Sequence, residues 1–234
     1  MMTKPLLPYL MLVTLALNSS AIALAQQVKV IKAFRVDCKP TQAYRNDKSG
    51  AIYLYIGDRN ILIETSERDY AVLLTDEAWI TISHRKRVYS IFSYDWFAAD
   101  IRRRVKEGDA WHERTGKWLS NHEIRWTDET DTILGIKVRK VVDMWGEKYA
   151  GESWVSSELV PIKLRERWQS IYPEDYWKKV SLKAWIGDMI MQFGVPLRLV
   201  VEDRQICEAQ MLEESSAGIS LKVPSGYRKI DKVN

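Results

Sequence analysis

The 234-residue chain contains only two cysteines and three histidines. They fall into no C-x-x-C knuckle and no H-E-x-x-H, the spacing that sets two imidazoles on one helical face. His112-Glu113 and His122-Glu123 repeat a dipeptide, and His/Glu sets can bind zinc. Without ligand spacing, both histidines read as ordinary surface residues, as does His84. There is no G-x-S-x-G and no glycine-rich phosphate loop. Cys207 is flanked by Glu208 and its nearest histidine in sequence is His122, so nothing points to a thiolate nucleophile beside an imidazole. No metal, no cofactor and no catalytic residue is expected, and the chain reads as a non-enzyme.

Past the N-terminus, no apolar run approaches the roughly 20 residues that a membrane helix needs. The opening stretch, MMTKPLLPYLMLVTLALNSSAIALAQ, has one cation at Lys4, an apolar run from Leu6 to Leu17 broken by Pro8, and small residues at Ala23 and Ala25. That is the pattern of a secretory signal peptide with an A-x-A site. Residues 1–25 are expected to be removed, leaving 26–234 as one soluble periplasmic or secreted domain with no transmembrane segment. No cysteine follows the site, which argues against a lipid anchor. Loss of Lys4 takes the formal charge from +4 to +3. The dense basic run, Arg102-Arg103-Arg104 with Lys106, reads as a solvated helix face, so nucleic acid is not an expected partner.

Short strands are abundant. In QVKVIKAFRV, period two puts Val28, Val30, Phe34 and Val36 on one side, with Lys32 the exception. From Ser49 on, Ala51–Ile56, Asn60–Thr65, Tyr70–Leu74, Ala78–Ser83 and Arg87–Phe92 follow one another across turns of two to four residues, which predicts an antiparallel meander. Thr132–Leu159 reads as a hairpin built from Ile133, Ile136, Val138, Val141 and Val142, with Gly146 and Gly151 in its turn region. Pro196 bars the helical conformation to Val195 and opens a strand at Leu197–Val201, which turns into Ile206–Leu212. Pro224 ends an edge strand, because proline cannot donate to a ladder. Two helices are predicted. One is Trp96–Lys106, capped by Asp95 with Phe97, Ile101 and Val105 in a stripe; the other is Glu174–Phe193, carrying Trp177, Val180, Ala184 and Ile190 at helical spacing. Gly108–Asp131, with Trp111, Trp118 and Trp126 spaced through polar residues, reads as a long loop, and such loops are often functional.

Several of these segments, taken in order, resemble the periplasmic lipoprotein-carrier family of the LolA and LolB type, nearest to its uncharacterised secreted members. The residues concerned are Gly50-Ala51-Ile52-Tyr53, Asp58-Arg59, Asp76-Glu77-Ala78-Trp79, Glu152-Ser153-Trp154-Val155, Gly194-Val195-Pro196-Leu197-Arg198 and Leu221-Lys222-Val223-Pro224-Ser225-Gly226-Tyr227. The resemblance covers most of residues 26–234. It implies an α+β, mainly β fold: a curved antiparallel sheet, an open half-barrel, with helices on its concave face. It also implies a place in envelope lipid or lipoprotein traffic.

Cys38 and Cys207 belong to strands near the sheet ends, in a chain bound for an oxidising compartment. They read either as one disulfide or as two buried thiols. Ten tryptophans suit a bulky core or an aromatic binding surface that stacks on sugars or buries acyl chains. Ile52–Ile56 is apolar or aromatic on both faces, so both faces of the sheet should be covered or line something. Period and resemblance together nominate Ile52, Leu54, Ile63, Leu74, Trp79 and Phe92 as the lining of a concavity for an acyl chain, lipid or lipoprotein. The alternative is a structural or partner-binding envelope module whose cavity is filled by its own helix, with Trp177, Trp185 and Met189 doing the filling.

Overall fold

A computed structural model describes residues 30–38, 51–65, 69–120, 122–173, 175–180, 186–201, 204–212 and 220–231. The expected signal peptide lies outside them. Six strands come first: β1 (Val30–Cys38), β2 (Ile52–Gly57), β3 (Ile61–Thr65), β4 (Tyr70–Leu74), β5 (Ala78–Ser83) and β6 (Val88–Ser93). Helix α1 (Tyr94–Thr115) leads to β7 (His122–Ile133), β8 (Ile136–Trp145) and β9 (Lys148–Ser156). After a 3-10 turn, Ser157–Leu159, come α2 (Ile162–Gln169), α3 (Tyr176–Lys179) and α4 (Ile186–Gln192), and then β10 (Val195–Val201), β11 (Arg204–Met211) and β12 (Arg228–Lys229).

The strands form one sheet in the order β12-β6-β5-β4-β3-β2-β1-β11-β10-β9-β8-β7, curved and open because its edges do not meet. Every pairing is antiparallel except β12 with β6. The fold is thus mainly β with helices on the concave side, as the sequence predicts. A register shift between Val30 and Lys32 changes the parity of β1. Phe34 and Val36 then face the concave side while Val30 packs on the other, which is what a bulge does to a period-two pattern. Val30 therefore does not share a side with Phe34, as simple alternation suggested.

The expected hairpin at Thr132–Leu159 is the end of a three-stranded meander. Ile133 closes β7, and Leu134 and Gly135, with φ of 54° and 73°, make the tight turn into β8. Gly151 lies within β9, opposite Asp143, and not in a turn.

Two distinct clusters of apolar side chains cover the faces. On the concave side, Phe34, Leu54, Ile61, Val72 and Leu74 pack with Ile101 of α1 and Leu164 and Trp168 of α2. On the convex side, Tyr55, Leu62, Leu73, Ile80 and Ile82 are covered by Leu221, Val223 and Tyr227 from the C-terminal segment. That segment is pinned by backbone bonds from Arg228 N to Arg87 O (3.0 Å) and from Ile230 N to Tyr89 O (2.8 Å). Tyr227 also shares a hydrogen bond between its hydroxyl and His84 Nδ1 (3.0 Å). The edge strand β12 thus follows Pro224 instead of ending at it.

Helix α1 is twice the predicted length. Its N-cap is Ser93, whose hydroxyl accepts from Trp96 N, and it runs on to Gly116. The first part of the expected loop at Gly108–Asp131 is therefore helix and the last part is strand. Gly108 lets the extended helix lie close to α3, because a Cβ there would collide with the backbone carbonyl of Lys179. The predicted helix over Glu174–Phe193 is not continuous: α3 ends at Val180, which is extended (φ −120°, ψ 119°), and α4 begins at Ile186. Val180 is β-branched, and such residues give up helical conformation readily. Ala184 and Trp185 lie outside the described residues.

Candidate functional site at Trp126

The residues nominated as an acyl lining do lie together on the concave face. Leu54, Ile63, Leu74 and Trp79 are buried there, and Ile52 and Phe92 pack against them. None of them lines the cavities described below. Trp79 stacks on Phe97 of α1 at 5.0 Å and meets Trp168 of α2 at 6.1 Å. Trp168 is fully buried and also contacts Phe97 and Tyr94 edge-on. These aromatic rings pack over the nominated residues on the concave face. Trp177 is buried and Met189 packs against the same core.

Open space lies instead where the β7–β9 meander meets α2 and α4. One cavity, about 680 Å³, is lined by Asp128, Lys137, Arg139, Glu158, Arg165 and Ser156 among others. A second, about 780 Å³, is lined by Glu123, Arg125, Asp175, Trp177, Lys178 and Phe193 among others. Trp126 borders both. The indole is 36% exposed, held edge-on by Phe193 at 5.6 Å and overlaid by the Arg139 guanidinium at 5.2 Å.

A bulge in β7 between Trp126 and Thr130 shapes this region. Arg139 spans it, donating from Nε to Thr127 O (2.6 Å) and approaching Asp128 (3.4 Å). Lys140 bridges Glu129 (3.2 Å) and Glu152 (2.7 Å), and the Glu152 bond holds its ammonium above the usual lysine range. Bulges and edge charges also discourage another strand from adding to β7. The remaining polar groups are less engaged. Arg165 donates to Ser157 O (3.2 Å) and has no carboxylate partner among the described residues, Lys137 and Glu158 have no ion-pair partner there, and the buried Ser156 hydroxyl has no hydrogen-bond partner. The sequence offered one signal for this site, Trp126 within an apparently long polar segment. Arg139, Glu158 and Arg165 gave none, because only the sheet order brings them beside it.

A separate, partly buried polar set joins α1, α4 and the turn after α2. Tyr172 donates its hydroxyl to Asp188 (2.9 Å), and Arg104 lies close enough to favour the ionised carboxylate. Burial outweighs both and raises Asp188 to about 6. Burial likewise raises Tyr172 well above its usual value. Of the histidines, His112 stacks on Trp118 at 3.8 Å and His84 lies 3.5 Å from Glu64. The side chain of His122 lies outside the described residues. Among the described residues, no group of three or more histidines, cysteines or acids could hold a metal ion, and no helix is long and apolar enough to cross a membrane.

No family model matches the chain, and no curated protein matches it. Solved structures overlap it loosely. PNGF-II in a P21 crystal form is 12% identical, with a TM-score of 0.38 over 78% of this chain and 28% of that one. In a C2 form the figures are 13%, 0.42, 86% and 30%. An uncharacterized conserved protein from Thermus thermophilus is 11% identical, with a TM-score of 0.37 over 90% of this chain and 98% of that one. The chain thus spans less than a third of the PNGF-II chains.

Proposed function

We propose that this protein is an exported, non-enzymatic envelope module with a half-barrel of the lipoprotein-carrier type. Its concavity is filled by its own helices, and it meets a partner at the trench beside Trp126. The observation that carries this reading is Trp168: fully buried among Trp79, Phe97 and Tyr94, it packs against the residues nominated as an acyl lining, which supports a concavity closed by the protein's own side chains. The convex face is likewise covered, by Leu221, Val223 and Tyr227. The other reading, a carrier for an acyl chain, lipid or lipoprotein, would require α1 and α2 to move off the sheet.

Leu54→Trp and Ile63→Trp separate the two. In a closed core the larger side chain overpacks and costs about 1–3 kcal/mol, whereas in an empty concavity it meets no packed neighbour. Melting should drop in both variants, and the parent protein should take up no fluorescent fatty acid. Uptake by the parent, blocked in the variants with little change in melting, would overturn the proposal in favour of the carrier.

A further inference from the structure

We infer that the trench on either side of Trp126 binds a neutral oligosaccharide. This deepens the partner-binding reading above and rests on it. The two cavities, about 680 and 780 Å³, each fall within the size range of small-molecule sites. Because Trp126 borders both, a ligand filling them crosses the indole. An elongated ligand therefore fits better than a compact one.

The lining sets the chemistry. Lys137, Arg139 and Arg165 face Asp128 and Glu158 in the first cavity, and Arg125 and Lys178 face Glu123 and Asp175 in the second. With the signs so nearly balanced, a polyanion would meet carboxylates at every step. An acyl chain would cover charged groups without satisfying them, which is costly. Hydroxyl groups donate and accept at once, and so suit a wall that presents guanidinium and carboxylate groups together with the amide of Gln169. The apolar ring faces of a sugar suit an aromatic face, here an indole whose orientation is already fixed by Phe193 and Arg139. Ser156 adds an independent pointer. It borders the first cavity, is 1% exposed, and its hydroxyl has no partner among the described residues, so the wall offers a buried polar group to a ligand that enters.

The test is calorimetric titration of the exported full chain with chitotetraose, cellotetraose and maltotetraose, alongside dextran sulfate and a mixed-sequence peptide. At least one neutral tetrasaccharide should bind. Trp126→Ala should weaken it by about tenfold or more and Arg165→Gln by several-fold, with melting unchanged in at least one of the two. Absence of binding by all three sugars, or sugar binding that neither variant weakens, would overturn the inference. So would preference for dextran sulfate or the peptide. None of those outcomes touches the fatty-acid result, so failure here is distinguishable from failure of the self-filled reading.

Discussion

The indole nitrogen of Trp168 donates to the backbone carbonyl of Thr75 at 2.7 Å. This bond ties α2 to the turn between β4 and β5, and the ring is fully buried against the concave face. Trp168→Phe keeps most of the packing but removes the bond to the partly buried carbonyl, and should cost about 0.5–1.5 kcal/mol. Trp168→Ala should cost about 3–5 kcal/mol. Urea unfolding of both variants measures the difference, and a near-neutral Trp168→Ala would show that the ring does not hold the helices in place.

Gly108 sets helix propensity against packing. Alanine is favoured over glycine in a helix by about 1 kcal/mol, so an isolated α1 would gain from Gly108→Ala. In the folded protein the new methyl group meets the Lys179 backbone, which cannot swing aside as a flexible side chain would. Net destabilisation is expected, about 1–2 kcal/mol after the propensity gain is set against the overpacking cost. Thermal melting decides the sign.

Asp188 predicts an unusual pH dependence. Burial lifts its carboxyl from the usual 3.8 to about 6, against the opposing pull of Tyr172 and Arg104. The folded chain keeps this proton at pH values where the unfolded chain has released it. The stabilisation from protonation is therefore complete below about pH 4 and is lost as the pH rises through about 6. The melting temperature of the parent relative to Asp188→Asn should fall over that window. A difference that stays constant from about pH 4 to about pH 7 would mean that Asp188 does not titrate there.

Cys38 of β1 is the direct register partner of Cys207 of β11, and no cysteine among the described residues is free. Directly opposed residues of antiparallel strands have Cα atoms about 4.5–5.5 Å apart, within the reach of a disulfide. We expect the exported protein to carry this bond and an intact mass matching residues 26–234. Alkylation without reductant should label neither cysteine. With so long a loop closed, the chain-entropy model puts the stabilisation at about 5 kcal/mol at most, so reduction should lower the melting temperature by many degrees. Labelling of both thiols without reductant would exclude the bond.

The sequence by itself determined the strand-rich class and most strand positions. Period-two patterning bounded by turn residues is a local signal, and β4 and β5 fall where that pattern put them. It also indicated that both faces of β2 would be covered or line something, since Ile52, Leu54 and Ile56 alternate with Tyr53 and Tyr55. Tertiary structure decided what does the covering. The concave cover at Trp168 depends on the bond to Thr75, 93 residues away, and the convex cover depends on a C-terminal segment whose Tyr227 reaches His84, 143 residues away. The close approach of α1 to α3 depends on Gly108 meeting Lys179, a contact absent from any local pattern. The trench at Trp126 depends on the same kind of distance. β7 sits at one edge of the sheet, and only the packing of the helical region around α2 and α3 beside its meander sets Arg165, Glu158 and Phe193 near one indole. Periodicity reports which face of an element is apolar, but the element that comes to lie on that face is settled by packing between segments far apart in the chain.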